Sequence, residues 1–148
     1  GRAEVENEDT ATAIVRFSNG AQGSICTSRS AWGRKNTLDC EVHGTAGLIA
    51  FSQERLNELQ LYLNEGPKSE QGFRTILTGP EHPPYGQFCP APGHQIGIGD
   101  LKIIEVAQFL RAIAQGREAF PNFTDALGFE RVIYAIDQSA RDGCRVEL

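Results

Sequence analysis

The chain has 148 residues, 40% hydrophobic and 22% charged, with a net charge of −5. That length fits one domain, able to bury roughly 68–70% of its unfolded surface, and the acidic balance argues against nucleic-acid or anionic-membrane partners, which need a basic face. No apolar run approaches the ~18 residues of a membrane span, and the first residues have neither the basic start nor the apolar core of a signal peptide.

In chain order, "TATAIVRFSNGAQGSICTSR" reads as two strands around Asn19-Gly20, a dipeptide suited to a type I′ hairpin turn. On the first strand Ala11, Ala13, Val15 and Phe17 share one side, while Ile14 joins Thr10, Thr12 and Arg16 on the other. That second face is mildly apolar and suits another sheet or a subunit better than open water. In "NTLDCEVHGTAGLIAF", Leu38, Cys40 and Val42 point one way and Thr37, Asp39, Glu41 and His43 the other. Gly44 to Gly47 supplies a tight turn. Leu59–Leu63 and Phe73–Leu77 add two short strands, separated by the polar loop "NEGPKSEQG".

A loop of about twenty residues follows, from Gly79 to Gly99, holding five of the seven prolines; ordered loops of this length are often functional. Asp100 is expected to cap a helix running through Ala114, with Ile103, Val106, Ala107, Leu110, Ile113 and Ala114 as its inward stripe and Gly116 as its stop. A second helix is expected over Asp125–Arg141, capped by Thr124 and ended by Gly143, burying Phe129, Val132, Ile133, Ile136 and Ala140. "CRVEL" would return as an edge strand. The sum is an α+β fold in one domain, residues 1–148. Its sheet would be open and mostly antiparallel, of five to six or more strands, with two C-terminal helices packed on one face.

The chemistry is sparse. Cys26, Cys40, Cys89 and Cys144 form no CxxC pair, and Cys26 and Cys40 fall inside strands as small hydrophobes. A reducing cytoplasm is the simplest compartment. Gly97-Ile98-Gly99 starts a helix, yet Lys102 stands where a dinucleotide fingerprint needs its third glycine. Asp100 would moreover repel a phosphate at that helix end. Cys89, His82 and His94 match no common zinc spacing, and nothing marks Cys89 as an activated nucleophile. Neither cofactor nor metal is therefore expected on this chain. His94, beside Gly93, suits a substrate pocket or an ordinary exposed loop. Residues 28–36, "SRSAWGRKN", put Arg29 and Arg34 beside Trp32, the single tryptophan. They suit either a polyol or carboxylate ligand or a tryptophan packed at a subunit contact.

Three stretches together carry a resemblance: "VHGTAG" (42–47), "RLNELQLY" (55–62) and "GPEHPPYG" with "PAPGH" (79–94). With them the chain is similar, over nearly its whole length, to the C-terminal domain of Gfo/Idh/MocA oxidoreductases. The resemblance implies an N-terminal Rossmann domain outside this chain and a C-terminal sheet that lines the substrate site and packs against another subunit. It also implies hydride transfer between NAD or NADP and a sugar, cyclitol or related hydroxyl carbon. The family's catalytic lysine and histidine motifs, E-K-P and D-x-x-x-H, are expected upstream of Gly1, so no catalytic residue is carried over. His94 would line the pocket, joined by Arg29, Trp32 and Arg34. The sequence has no methionine, and Gly1 reads as a cloning scar on a piece of a longer protein, inactive alone. The rival reading is a stand-alone binding or assembly module that uses the sheet face without redox chemistry.

Overall fold

The computed structural model describes residues 7–148, which divide into two compact units. One comprises the chain up to Arg34 together with Phe120–Leu148; the other is Lys35–Ala119. The α+β class holds, with six antiparallel strands among the described residues, in two sheets of two and four.

The first unit contains a hairpin of β1 (Thr10–Arg16) and β2 (Gln22–Ser28), in register from Thr10 opposite Ser28 to Arg16 opposite Gln22. Its turn differs from expectation. Phe17 N–H donates to Ala21 O (2.9 Å), and Gly20 N–H returns to Phe17 O (2.9 Å). Only Gly20 has a positive φ, +88°, and Asn19 does not. The connection is therefore the longer kind, a type I turn closed by a glycine bulge, rather than a two-residue type I′ turn. Asn19 contributes through its side chain, whose Oδ1 accepts from Ala21 N–H at 3.0 Å. Ala11, Ala13 and Val15 are half-buried, while Ile14 on the opposite face is 85% exposed.

The same unit holds α2, Phe123–Asp142. Its cap is Asn122, two residues before the expected Thr124. Asn122 Oδ1 accepts from Thr124 N–H (2.8 Å) and Asp125 N–H (3.0 Å), and the Asp125 carboxylate accepts from Asn122 N–H (2.8 Å). This reciprocal box satisfies donors that a helix start leaves open. Gly143 ends the helix as expected. Val132 and Ile136 are half-buried, whereas Phe129, Ile133 and Ala140 are exposed. Residues 144–148 form no strand; instead Ser139 Oγ donates to Cys144 O at 2.7 Å.

The second unit is built on the sheet β3 (Asp39–His43), β4 (Gly47–Ser52), β5 (Glu58–Leu63) and β6 (Arg74–Leu77), paired in chain order. Paired residues share a face of an antiparallel sheet. Val42, Ile49 and Leu61 therefore line up on one side with Cys40, Phe51, Leu59 and Ile76, while Glu41, Ala50, Gln60 and Thr75 line up on the other. Thr75 Oγ1 donates to Gln60 Oε1 across that second face, at 3.1 Å, and the same face carries Leu48, Tyr62 and Leu77. Gly47 faces the β5 backbone so closely that a Cβ there would meet the Tyr62 carbonyl.

Helix α1 (Ile98–Ala114) belongs to this unit. Its N-cap is Gly97, and Asp100 lies three residues inside, accepting from Gly97 N–H at 2.8 Å. The expected inward stripe is largely the outward one. Ile103, Val106, Leu110 and Ile113 are 56–61% exposed, and the buried positions are Ile104 and Ala112. Apolar residues cover more than half of the helix circumference, so periodicity finds the wider stripe while the unit encloses the narrower one. Together with Cys89 and Ile96, these two make up the fully buried apolar set among the described residues. Cys26 and Cys40 do lie in strands, but both are exposed.

Candidate substrate-facing site

The second unit has an open surface concavity of about 510 Å³ between residues 53–58 and 95–98. One wall is the turn that joins β4 to β5. Gln53 N–H donates to Leu38 O (3.0 Å), Gln53 Nε2 to Asn36 O (2.9 Å), and Glu54 Oε1 accepts from Lys35 N–H (2.7 Å). Arg55 forks onto Glu58, Nε to Oε2 at 2.8 Å and Nη2 to Oε1 at 3.0 Å. That hydrogen bond, and then the Glu58 charge, raise the Arg55 guanidinium above its ordinary pKa. The opposite wall is the end of the long loop. There Asn57 Nδ2 donates to Ile96 O (2.8 Å) and Asn57 Oδ1 accepts from Ile96 N–H (2.9 Å).

His94 stands just before this wall. It is exposed, and its imidazole makes no hydrogen bond among the described residues. Its backbone is held: His94 N–H donates to Ala91 O (3.1 Å), and the Cys89 thiol donates to His94 O at 2.8 Å. Cys89 is thus a buried structural donor (1% exposed) that meets the His94 main chain and not its ring. His82 is used locally, its Nδ1 accepting from Gly79 N–H at 3.1 Å.

Arg29, Trp32 and Arg34 share the 28–36 loop and belong to the first unit, whereas His94 belongs to the second. All three are exposed, Trp32 almost completely. At the Gly-x-Gly helix start the Asp100 carboxylate stands against Gly97 N–H, where a phosphate oxygen would be received. The residues here do not fit a dinucleotide. One D-x-x-x-H spacing does occur, at Asp39 and His43, contrary to the expectation that this motif lies upstream. It falls within β3, where residues four apart stand about 13 Å apart. His43 is exposed and bonds Glu41 (3.3 Å). A strand placed in this way gives no joint site for the pair.

The residue that sequence reading missed is Asn57. In "RLNELQ" it looks like any polar residue before a strand, because its partner lies 39 positions away.

A family model described as the GFO/IDH/MocA C-terminal domain matches residues 1–50. Levoglucosan dehydrogenase of Pseudarthrobacter phenanthrenivorans is 41% identical over 140 residues, covering 94% of this chain and 36% of that protein. A solved structure of levoglucosan dehydrogenase in complex with NADH and levoglucosan superposes with a TM-score of 0.89 at 41% identity, over 95% of this chain and 38% of that one. An oxidoreductase domain protein from Kribbella flavida gives a TM-score of 0.90 at 34% identity, over 96% of this chain and 38% of that one. The chain thus spans little more than a third of the length of these relatives.

Proposed function

The chain carries a GFO/IDH/MocA C-terminal domain, and from that premise we propose that it is the substrate and oligomerisation part of an NAD(P)-dependent oxidoreductase acting on a sugar, cyclitol or related polyol. The observation that carries this reading is the close superposition, over 95% of the chain, on a dehydrogenase bound to NADH and a sugar. The same likeness favours a cyclic sugar as substrate and NAD as cofactor, which would supply the hydride acceptor from a Rossmann domain outside these residues. All 148 residues would act as one functional domain, inactive alone, in a reducing cytoplasm that suits its four free cysteines.

The part played by this chain would be to bind and orient. His94 presents an imidazole with no hydrogen-bond partner among the described residues, able to donate to or accept from a sugar hydroxyl. Arg29 and Arg34 offer forked donors and Trp32 an apolar ring face, a combination suited to a polyol. Orienting a hydroxyl carbon toward an acceptor lowers the barrier by fixing geometry in advance. The outer face of the hairpin, with Ile14 85% exposed, supports assembly into a dimer or tetramer through a sheet face. No nucleic acid or membrane is expected as partner.

The test is steady-state kinetics of the intact protein with NAD and cyclic sugars. His94→Ala should lower kcat/KM roughly ten-fold, as expected for one lost polar contact to substrate. Unchanged kinetics would remove His94 from the pocket, and absence of any NAD(P)-linked sugar oxidation would favour the assembly module. Titration of the 148-residue chain alone with NADH should give no heat of binding.

A further inference from the structure

We propose that Asn57 is a positioning residue for the substrate-facing His94, an inference that rests on the pocket reading of His94. The Asn57 carboxamide bonds both polar backbone groups of one residue, Ile96, at 2.8 and 2.9 Å. Ile96 is 4% exposed, so water cannot replace these bonds. One side chain does for the loop what a neighbouring strand does for a sheet residue. Only a carboxamide of this length combines donor and acceptor in one plane at that spacing; a carboxylate would face the Ile96 carbonyl with an acceptor.

Asn57 is itself anchored. Its carbonyl accepts from Thr78 N–H at 2.8 Å, directly beside the β5–β6 ladder that pairs Glu58 with Leu77. The order of support runs from sheet to Asn57, from Asn57 to Ile96, and across two residues to His94. On the other side the Cys89 thiol and Ala91 carbonyl hold the His94 main chain. The backbone is bonded on both sides of His94 while its ring is left available, which is what a presented ligand group requires. A shift of about 1 Å in such a group costs up to about a hundred-fold in rate.

The experiment uses the intact protein, with hydrogen exchange and kinetics on the same variants. In Asn57→Ala the Ile96 amide should exchange at least about ten-fold faster while the Leu61 amide in β5 keeps its rate, and kcat/KM for the sugar should fall about ten- to a hundred-fold. Asn57→Asp is the isosteric comparison, in which an ionised carboxylate meets the Ile96 carbonyl. Its new carboxyl, once protonated, again offers one donor and one acceptor, so the deficit relative to the unaltered protein at equal pH should shrink as the pH falls from about 7 toward about 4, the ordinary range of an Asp carboxyl. The Arg55–Glu58 pair beside it is common to both proteins, so its own titration cancels in that ratio. An unchanged Ile96 amide overturns the clamp whatever the kinetics show. Faster exchange with unchanged kinetics, when His94→Ala is impaired, overturns the positioning role and leaves the pocket reading intact. If His94→Ala is itself unimpaired, the pocket reading falls and the positioning role with it.

Discussion

The 28–36 loop and the 78–97 loop both carry side chains proposed to meet a sugar, but their backbones are held very differently. In the first, Arg29 N–H donates to Asp9 O (2.8 Å), Ser30 N–H to Ser28 Oγ (3.2 Å) and Lys35 N–H to Glu54 (2.7 Å), and Asn36 O accepts from Gln53 Nε2 (2.9 Å). These bonds sit toward the two ends of the loop, and Trp32 between them is 99% exposed. The boundary between the two compact units falls inside this loop, between Arg34 and Lys35. In the second, bonds recur along the length: His82 to Gly79, Tyr85 to His82, Cys89 to Tyr85, His94 to Ala91, and Ile96 to Asn57. Polar and aromatic composition alone therefore does not make a loop a scaffolded site. The accounting of backbone donors and acceptors separates a connecting loop from one that holds a side chain in place.

Five changes sharpen or break that contrast, each read by thermal or denaturant unfolding of the intact protein. Asn57→Ala should be the most costly, at about 2–3 kcal/mol, because two buried backbone groups of Ile96 lose their partner at once. Cys89→Ala should cost about 1–2 kcal/mol, through lost packing of a side chain 1% exposed and loss of the thiol bond to His94 O. Gly93→Ala and Gly33→Ala should each cost about 1 kcal/mol. Both glycines have a left-handed φ, +82° and +86°, with open space where a Cβ would sit, so the penalty is the backbone's alone and is equal in the two loops. Trp32→Ala should change stability by no more than about 0.5 kcal/mol. A loss above about 1 kcal/mol would break the comparison, since it would show the tryptophan packed by something beyond this chain.

Some features were open to view in the sequence for local reasons. Asn19-Gly20 marked a hairpin, although the number of residues in its turn depends on how β1 and β2 register. Gly143 marked a helix end correctly, while the cap of α2 moved from Thr124 to Asn122 because any of several polar residues can accept the first free N–H groups. Strict alternation in β3 placed His43, which is exposed, on the face opposite Cys40. Alternation did not reveal that Cys40 on the other face would also be exposed, because period 2 sorts side chains into two faces without saying what covers either.

By itself the sequence determined the α+β class, six strand positions, two helices and the family resemblance, because each rests on short-range pattern or on a fixed order of residues. Tertiary structure alone decided that the strands form sheets of two and four and that α1 encloses Ile104 and Ala112 while Ile103 and Leu110 stay outside. It also decided that Asn57 holds the segment next to His94 from 39 residues away. The physical reason is common to all three. Periodicity fixes which side chains share a face, but which face finds a partner depends on residues remote in the chain.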